Sequence, residues 1–368
     1  MKFRCERDTL AEGVATAQRA VASRTGAMPV LSGLRVSAAD ESLELVGTDL
    51  ELTIRVRIPA DIDGEGSAVI PARLLSEIVR QLEGPSVSVV LSDDDARIEA
   101  GRFATTLRTL SATEFPRLAQ SEGTGVRVSA SSFAEALRQV VSAASRDEAR
   151  PILTGVLLTA SGGGLRLVAT DSYRLAMRDL EGVSMLAEGQ KVLVAAKGLA
   201  EVQRLLSSVT DDEIDVALGD RDVVFRVGGA EITTRLIEGD FPNYQQLIPK
   251  DYPNRLTVAR DALQAAVNRV RLVGQSRDTA PIRLSMSAET LELSAIAADV
   301  GEAHETVEAK YDGSDLTVAF NSQFLLDGID AAASAEVVLE SIDPLKPAVL
   351  RATDTPDFLY LLMPVRIS

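Results

Sequence analysis

A chain of 368 residues is too long to be organised around one hydrophobic core, so two or three domains are expected. Its composition, 46% apolar and 25% charged, is ordinary for a globular protein, and no run approaches the roughly 18 consecutive apolar residues of a membrane span. The net charge of −16 argues against a basic, phosphate-gripping surface, and one cysteine (Cys5) with one histidine (His304) excludes the usual zinc sites. The lone thiol fits a reducing cytoplasm, and the opening MKFRCERDTL alternates like a strand, unlike a signal peptide.

In chain order, the first element is a strand running into an amphipathic helix, Lys2–Arg24, with the helix over 8–24. A hairpin follows (LRVSAADESLELVGTDL), then a strand leading into a second helix over 72–83 (VIPARLLSEIVRQL), then a closing hairpin (RIEAGRFATTLRTL) ending in Glu114-Phe115-Pro116. The same order then repeats. Val126–Arg146 opens it, with a helix over 131–150 whose Phe133, Leu137, Val140 and Val141 recur at helical spacing. LLTASGGGLRLVATDS, LVAAKGLAEVQRLL (helix 196–207) and VVFRVGGAEITTRLI follow, closing on Asp240-Phe241-Pro242. A third round runs from Leu256–Arg277 (helix 260–278) through IRLSMSAETLELSAIAAD and TVAFNSQFLLDGID (helix 321–333) to AVLRATDTPDFLYLLMPVR.

Four segments in one order, three times, make an internal repeat. The acids ending the first hairpins, Asp49, Asp171 and Asp299, lie 122 and 128 residues apart. Each module is therefore α+β, two helices with several antiparallel strands, and the modules span 1–120, 126–248 and 254–368. The joints LAQSEGTG and PKDYPN are rich in turn formers.

Little in this pattern suggests catalysis. Asp93-Asp94-Asp95 reads as a hairpin turn before it reads as a metal cluster, and Gly162-Gly163-Gly164 aligns with the turns Asp40-Glu41 and Glu289-Thr290. No helix follows it, as a phosphate loop requires. Asp49 and Asp171 hold equivalent places in separate modules, so strand-end capping suits them better than a shared catalytic site. His304 sits in a polar strand and is expected to face solvent. The six helical segments sum to a charge of +1, which leaves the acidity, in net terms, on strands and loops. Two other classes stay open at this point: a scaffold binding only protein partners, and a carboxylate–metal nuclease using Asp49 and Asp171.

Along its whole length the chain resembles the bacterial sliding clamps, the beta subunit of DNA polymerase III. The opening MKF, Met28-Pro29-Val30-Leu31, GTDLE at 47–51, Pro71-Ala72-Arg73, ATDSYRLA at 169–176, DFPNY at 240–244, FNSQFLLD at 320–327 and LMPVR at 362–366 carry the resemblance. Departures are Ser172-Tyr173 where members often have Gly-His, Gln246 where they often have Arg, and Pro151-Ile152 where some have paired tyrosines.

The resemblance implies a non-catalytic, cofactor-free cytoplasmic processivity factor, a head-to-tail homodimer whose six modules ring duplex DNA. Polymerase, clamp loader and other DNA-processing enzymes are then tethered through short peptides, without a membrane. Domain size agrees: modules roughly 35 Å across leave a hole about 5 Å wide in a ring of three and about 35 Å in a ring of six, against about 20 Å for B-form DNA. A topological link needs no tight phosphate binding, so net acidity is no objection.

Arg24 and Arg73 match family positions at the DNA backbone, and charge and helix position add Arg146, Arg150 and Lys197. The family's dimer contact falls near Leu107 on one chain and Leu272 and Val273 on the other. Its peptide cleft maps to Leu153, Thr170, Ser172, Tyr173, Arg174, Leu175, Pro242 and Leu247, with Asn321, Phe324, Leu345 and Pro347. The C-terminal Leu361, Leu362, Met363, Pro364, Val365 and Arg366 complete it. An apolar terminus (LYLLMPVRIS) is itself suggestive, since chain ends lie at the surface. Alternation assigns about half of Leu359, Leu361 and Val365 to a sheet and leaves the rest to line the cleft.

Overall fold

The computed structural model describes residues 1–22, 28–92, 94–118, 125–274 and 281–366. Within them run α1 (Arg7–Ala17), α2 (Ala72–Gln81), α3 (Ala130–Val140), α4 (Ala196–Leu206), α5 (Arg260–Val270) and α6 (Ser322–Ala331), set among antiparallel strands. None of these helices is long and apolar enough to cross a membrane.

The first helix of each module is shorter than its periodicity predicts. α1 and α3 tighten into 3₁₀ turns at Gln18–Ala20 and Val141–Ala143, well short of 24 and 150; α5 gives way to one at Arg271–Gly274, and 275–278 lie outside the described residues. The reason is non-local. After the turn, Val21 and Ala144 become extended, and the Ala22 and Ser145 amides donate to the Leu31 and Leu153 carbonyls. Those bonds take the chain out of the helix, and the Ala17 carbonyl lies so close to Gly47 that no Cβ fits there. Arg146 and Arg150, expected on a helix, therefore sit on the loop that follows it.

The chain divides into two compact units that cut across the repeat, 1–131 with 200–236 and 132–199 with 237–368. The first unit holds two sheets. One has five strands in the order Asp61–Gly64, Lys2–Glu6, Ser86–Ser92, Asp95–Ala100, Phe103–Arg108, which leaves Phe103–Arg108 as an edge. The other has eight, in the order Val126–Ser129, Glu213–Leu218, Asp222–Val227, Ala230–Arg235, Leu52–Pro59, Ser42–Thr48, Gly33–Ala39, Gly66–Pro71. It joins two modules, with Ile232 opposite Ile54. A file of alternating charges (Arg35, Glu44, Arg55, Glu231, Arg226, Asp215) crosses six of its strands, each pairing with the next at 2.6–3.4 Å.

The second unit is built on a twelve-stranded sheet. Its order is Lys191–Ala195, Gly155–Ser161, Gly164–Thr170, Arg174–Leu180, Phe358–Leu362, Ala348–Ala352, Glu336–Ser341, Asn254–Ala259, Gly301–Asp312, Thr290–Ala297, Pro281–Ser287, Leu316–Asn321. Here modules two and three join where Arg174 faces Leu362 and Leu175 faces Leu361. Phe358–Leu362 does not alternate: all five residues are buried. A central strand covered on both faces has no solvent side. One face meets α6, where Gly328 admits the Tyr360 ring, and the other meets Leu175, Tyr244 and Val349.

The glycine run is a hairpin turn with Gly162 and Gly163 at positive φ, matched in module one by Asp40 and Glu41. His304 lies half-exposed between Glu292 at 3.2 Å and Glu302 at 3.6 Å.

Candidate functional site

The Thr-Asp pairs ending the first hairpins of modules one and two build the same turn. Thr170 Oγ1 donates to the Arg174 carbonyl at 2.7 Å and accepts the Ser172 amide, while Asp171 Oδ1 accepts the Tyr173 and Arg174 amides at 2.8 and 3.0 Å. Thr48 and Asp49 do the same for Leu50, Glu51 and Leu52. Both turns put a non-glycine residue at left-handed φ, Leu50 at 79° and Ser172 at 81°. Even the bond to the neighbouring module is kept: the Met363 amide donates to the Tyr173 carbonyl at 2.9 Å, and the Arg235 amide to Glu51 at 3.0 Å. The aspartates thus hold turns.

This turn explains one departure in the sequence. A glycine at position 172 would adopt φ of 81° freely, whereas serine is strained there. Ser172→Gly is expected to stabilise the protein by about 0.5–1 kcal/mol, raising the midpoint of thermal unfolding by roughly 1–3 °C. A lower midpoint would show that the Ser172 hydroxyl, 3.3 Å from Arg150 Nη1, outweighs the strain.

What the second turn presents differs from the first. Arg174 is buried, with Nε on Asp171 at 3.0 Å, Nη1 on Asp327 and on the Tyr360 hydroxyl at 3.2 Å, and Nη2 on the Ser142 carbonyl at 2.5 Å. Burial works against its charge, but Tyr360 and Asp327 outweigh it and the pKa is raised. Burial likewise pushes the Tyr360 hydroxyl up. The guanidinium lies 4.4 Å from the Phe324 ring centre, and Tyr173, 61% exposed, stacks on that ring at 6.5 Å. Asn321 fixes Phe324 by capping α6, accepting the Gln323 and Phe324 amides. Tyr173, Arg174, Phe324 and Asp327 border a cleft of about 640 Å³ together with Arg146, Asp147 and Arg150.

The other cleft candidates divide by burial. Leu153, Thr170, Leu175, Leu361 and Leu362 are buried, and Leu175 and Leu361 share one apolar cluster, against which Phe241 and Ile248, the neighbours of Pro242 and Leu247, also pack. Pro242, Leu247, Met363 and Arg366 are exposed, and Pro347, Pro364 and Val365 are half-buried. The Val365 amide donates to the Ala319 carbonyl, and Leu345 stands 69% exposed on a turn closed by Asp343. Asp327 and Tyr360 escaped the sequence reading, because their partner Arg174 is more than 150 residues away.

Of the DNA candidates, Arg73 and Lys197 are exposed second residues of α2 and α4, Arg73 pairing with Glu77 at 2.9 Å. Arg146 and Arg150 are exposed, Arg150 bonded to Asp147. Arg24 lies outside the described residues. Among the dimer candidates Leu272 is 59% exposed and Val273 half-buried, while Leu107 is buried at 6%. On the edge strand it is Phe103, 47% exposed, that faces out, lining a groove of about 890 Å³ with Leu74, Ile78 and Leu82. Its sequence signal was an aromatic residue just past the Gly101-Arg102 turn.

A thrice-repeated antiparallel scaffold whose clefts carry exposed aromatic residues has the make-up of a binding protein. Comparison with known proteins gives the family. Models of the N-terminal, central and C-terminal domains of the DNA polymerase III beta subunit match residues 1–119, 127–243 and 245–366. The beta sliding clamp of Streptomyces coelicolor is 38% identical, with all of both chains covered. Among solved structures, the clamps of Bartonella birtlesii (TM-score 0.93, 30% identity) and Pseudomonas aeruginosa (0.89, 29%), both bound to griselimycin, are covered over the full length of both chains. The chain belongs to the DNA polymerase III beta subunit family, the bacterial sliding clamps. It is a processivity factor of DNA replication that works with DNA and polymerase, and it is not an enzyme.

Proposed function

We propose that two copies of this chain close head to tail into a cytoplasmic ring of six modules, 1–120, 126–248 and 254–368 from each, around duplex DNA. The observation that carries this reading is the pair of unlike apolar surfaces. One is the edge strand Phe103–Arg108 with Phe103 and Leu74 exposed; the other, in module three, exposes Leu272, Ile296 and Val300. The groove beside the first is bordered by Glu77 and Glu83 as well as Arg102, so its charges are mixed and the two apolar faces are what the contact would bury. Pairing the open edge also removes an aggregation hazard. Light scattering should give a mass twice 39.2 kDa, and the loaded protein should stay on circular DNA but slide off linear DNA. A persistent monomer sinks the ring.

In this reading Arg24, Arg73, Arg146, Arg150 and Lys197 meet phosphates inside the ring, without base information. Arg73→Ala with Arg150→Ala is expected to slow loading severalfold and to lower the salt slope of DNA association by about 1 for each phosphate lost, with thermal unfolding unchanged. Equal loading across the salt range removes both residues from the DNA path.

The cleft around Tyr173, Arg174 and Phe324 is read as the dock for extended peptides of polymerase, clamp loader and other DNA-processing proteins. Exposed Tyr173 and Met363 beside the buried Leu175–Leu361 cluster suit one or two apolar anchors. The two related clamps that hold griselimycin support a binding cleft in this family and supply a defined probe for it.

A further inference from the structure

Arg174 is held by two kinds of partner. Asp171 belongs to the same turn and moves with it, whereas Asp327 and Tyr360 come from module three and give the guanidinium a fixed external reference. Asp327 follows Phe324 by three residues on α6, so carboxylate and ring project from one side of the helix. Its second oxygen is also engaged, accepting from Gln323 Nε2 at 2.7 Å, which leaves the carboxylate little rotational freedom. A buried ion pair is a poor source of net stability, because desolvation offsets most of the attraction, and its best-attested use is to select one geometry.

We propose that Asp327 is a positioning residue of the cleft: it pins the Arg174 guanidinium against the Phe324 ring and so holds the Tyr173–Phe324 stack as a preformed platform for the docked chain. This rests on the reading of the cleft as a peptide dock. Without the Asp327 carboxylate the guanidinium would keep Asp171, the Tyr360 hydroxyl and the Ser142 carbonyl but lose its one charged partner from module three, which loosens its hold on the Phe324 ring and with it the backing of Tyr173. The cost would fall on binding, since ordering the two rings would then accompany docking.

The test has two parts, both on the full chain. In the free protein, the NMR ring signals of Tyr173 and Phe324 should move toward unstructured positions in Asp327→Asn and be largely restored in Asp327→Glu, while the mass stays put, the protein stays folded and any fall in thermal midpoint is smaller than that of Arg174→Ala. Unmoved signals overturn the positioning role whatever the cleft binds. With griselimycin as the probe in calorimetry, Asp327→Asn should weaken binding about tenfold, and less than twofold when Tyr173→Ala is already present, because the two act through one platform. Equal losses in both backgrounds make Asp327 merely structural and overturn the proposal. If the unaltered chain binds no griselimycin, the dock reading fails for this probe, and the ring signals still decide the role of Asp327.

Discussion

Replacing Arg174 by alanine is expected to cost about 3–5 kcal/mol of stability and to abolish peptide docking in the cleft proposed above. The change leaves Asp171 and Asp327 facing each other without the cation that joins them, and strips the Tyr360 hydroxyl and Ser142 carbonyl of a donor. An unpaired, partly buried carboxylate is far more costly than a missing pair. Denaturant unfolding measures the loss, and Arg73→Ala is the control: its pair with Glu77 is surface-exposed, so that change should stay within about 0.5 kcal/mol. If Arg174→Ala also falls within that range, the network is ornamental and the preformed cleft goes with it.

The second large effect concerns the ring. If two copies join as proposed, Phe103→Asp is expected to turn that dimer into folded monomers. An aromatic anchor at an interface centre contributes about 2–4 kcal/mol, a factor of roughly 30 to 700 in dissociation constant, and a carboxylate there adds a desolvation cost. Leu272→Asp on the opposing surface should do the same. Leu107→Asp should behave differently, because Leu107 is 6% exposed and the change places a charge in the core; it is expected to lose folding along with association. Circular dichroism separates the two outcomes. A Phe103→Asp protein that remains dimeric at sub-micromolar concentration assigns the interface elsewhere.

How far the sequence reached follows from the range of each interaction. Hairpins and helix starts are written locally, in alternation, in turn formers such as Gly162-Gly163, and in the asparagine that caps α6. The three-fold repeat needed only comparison of the chain with itself. Helix ends were missed because bonds to Leu31 and Leu153 draw the chain away from α1 and α3, and periodicity carries no trace of them. Alternation failed at Phe358–Leu362 because a strand with neighbours on both sides and cover on both faces needs no polar positions. Within the cleft, the turn residues 170–175 were legible as a motif. Asp327 and Tyr360 were not, since nothing short-range ties them to Arg174.

The duplicated Thr-Asp turn bears on how such a site arises. A residue forced into left-handed backbone beside a binding surface is commonly taken as strain kept for function. Here the same strain sits at Leu50, where the next residue is a glutamate paired with Arg235 at 3.4 Å, in place of a tyrosine stacked on a phenylalanine. The strained backbone is therefore not peculiar to the cleft, since the same turn occurs in module one where no aromatic stack stands on it. One set of turn bonds thus serves two surfaces: in module one it only ties the seam between modules, and in module two it also carries an exposed ring and a buried cation.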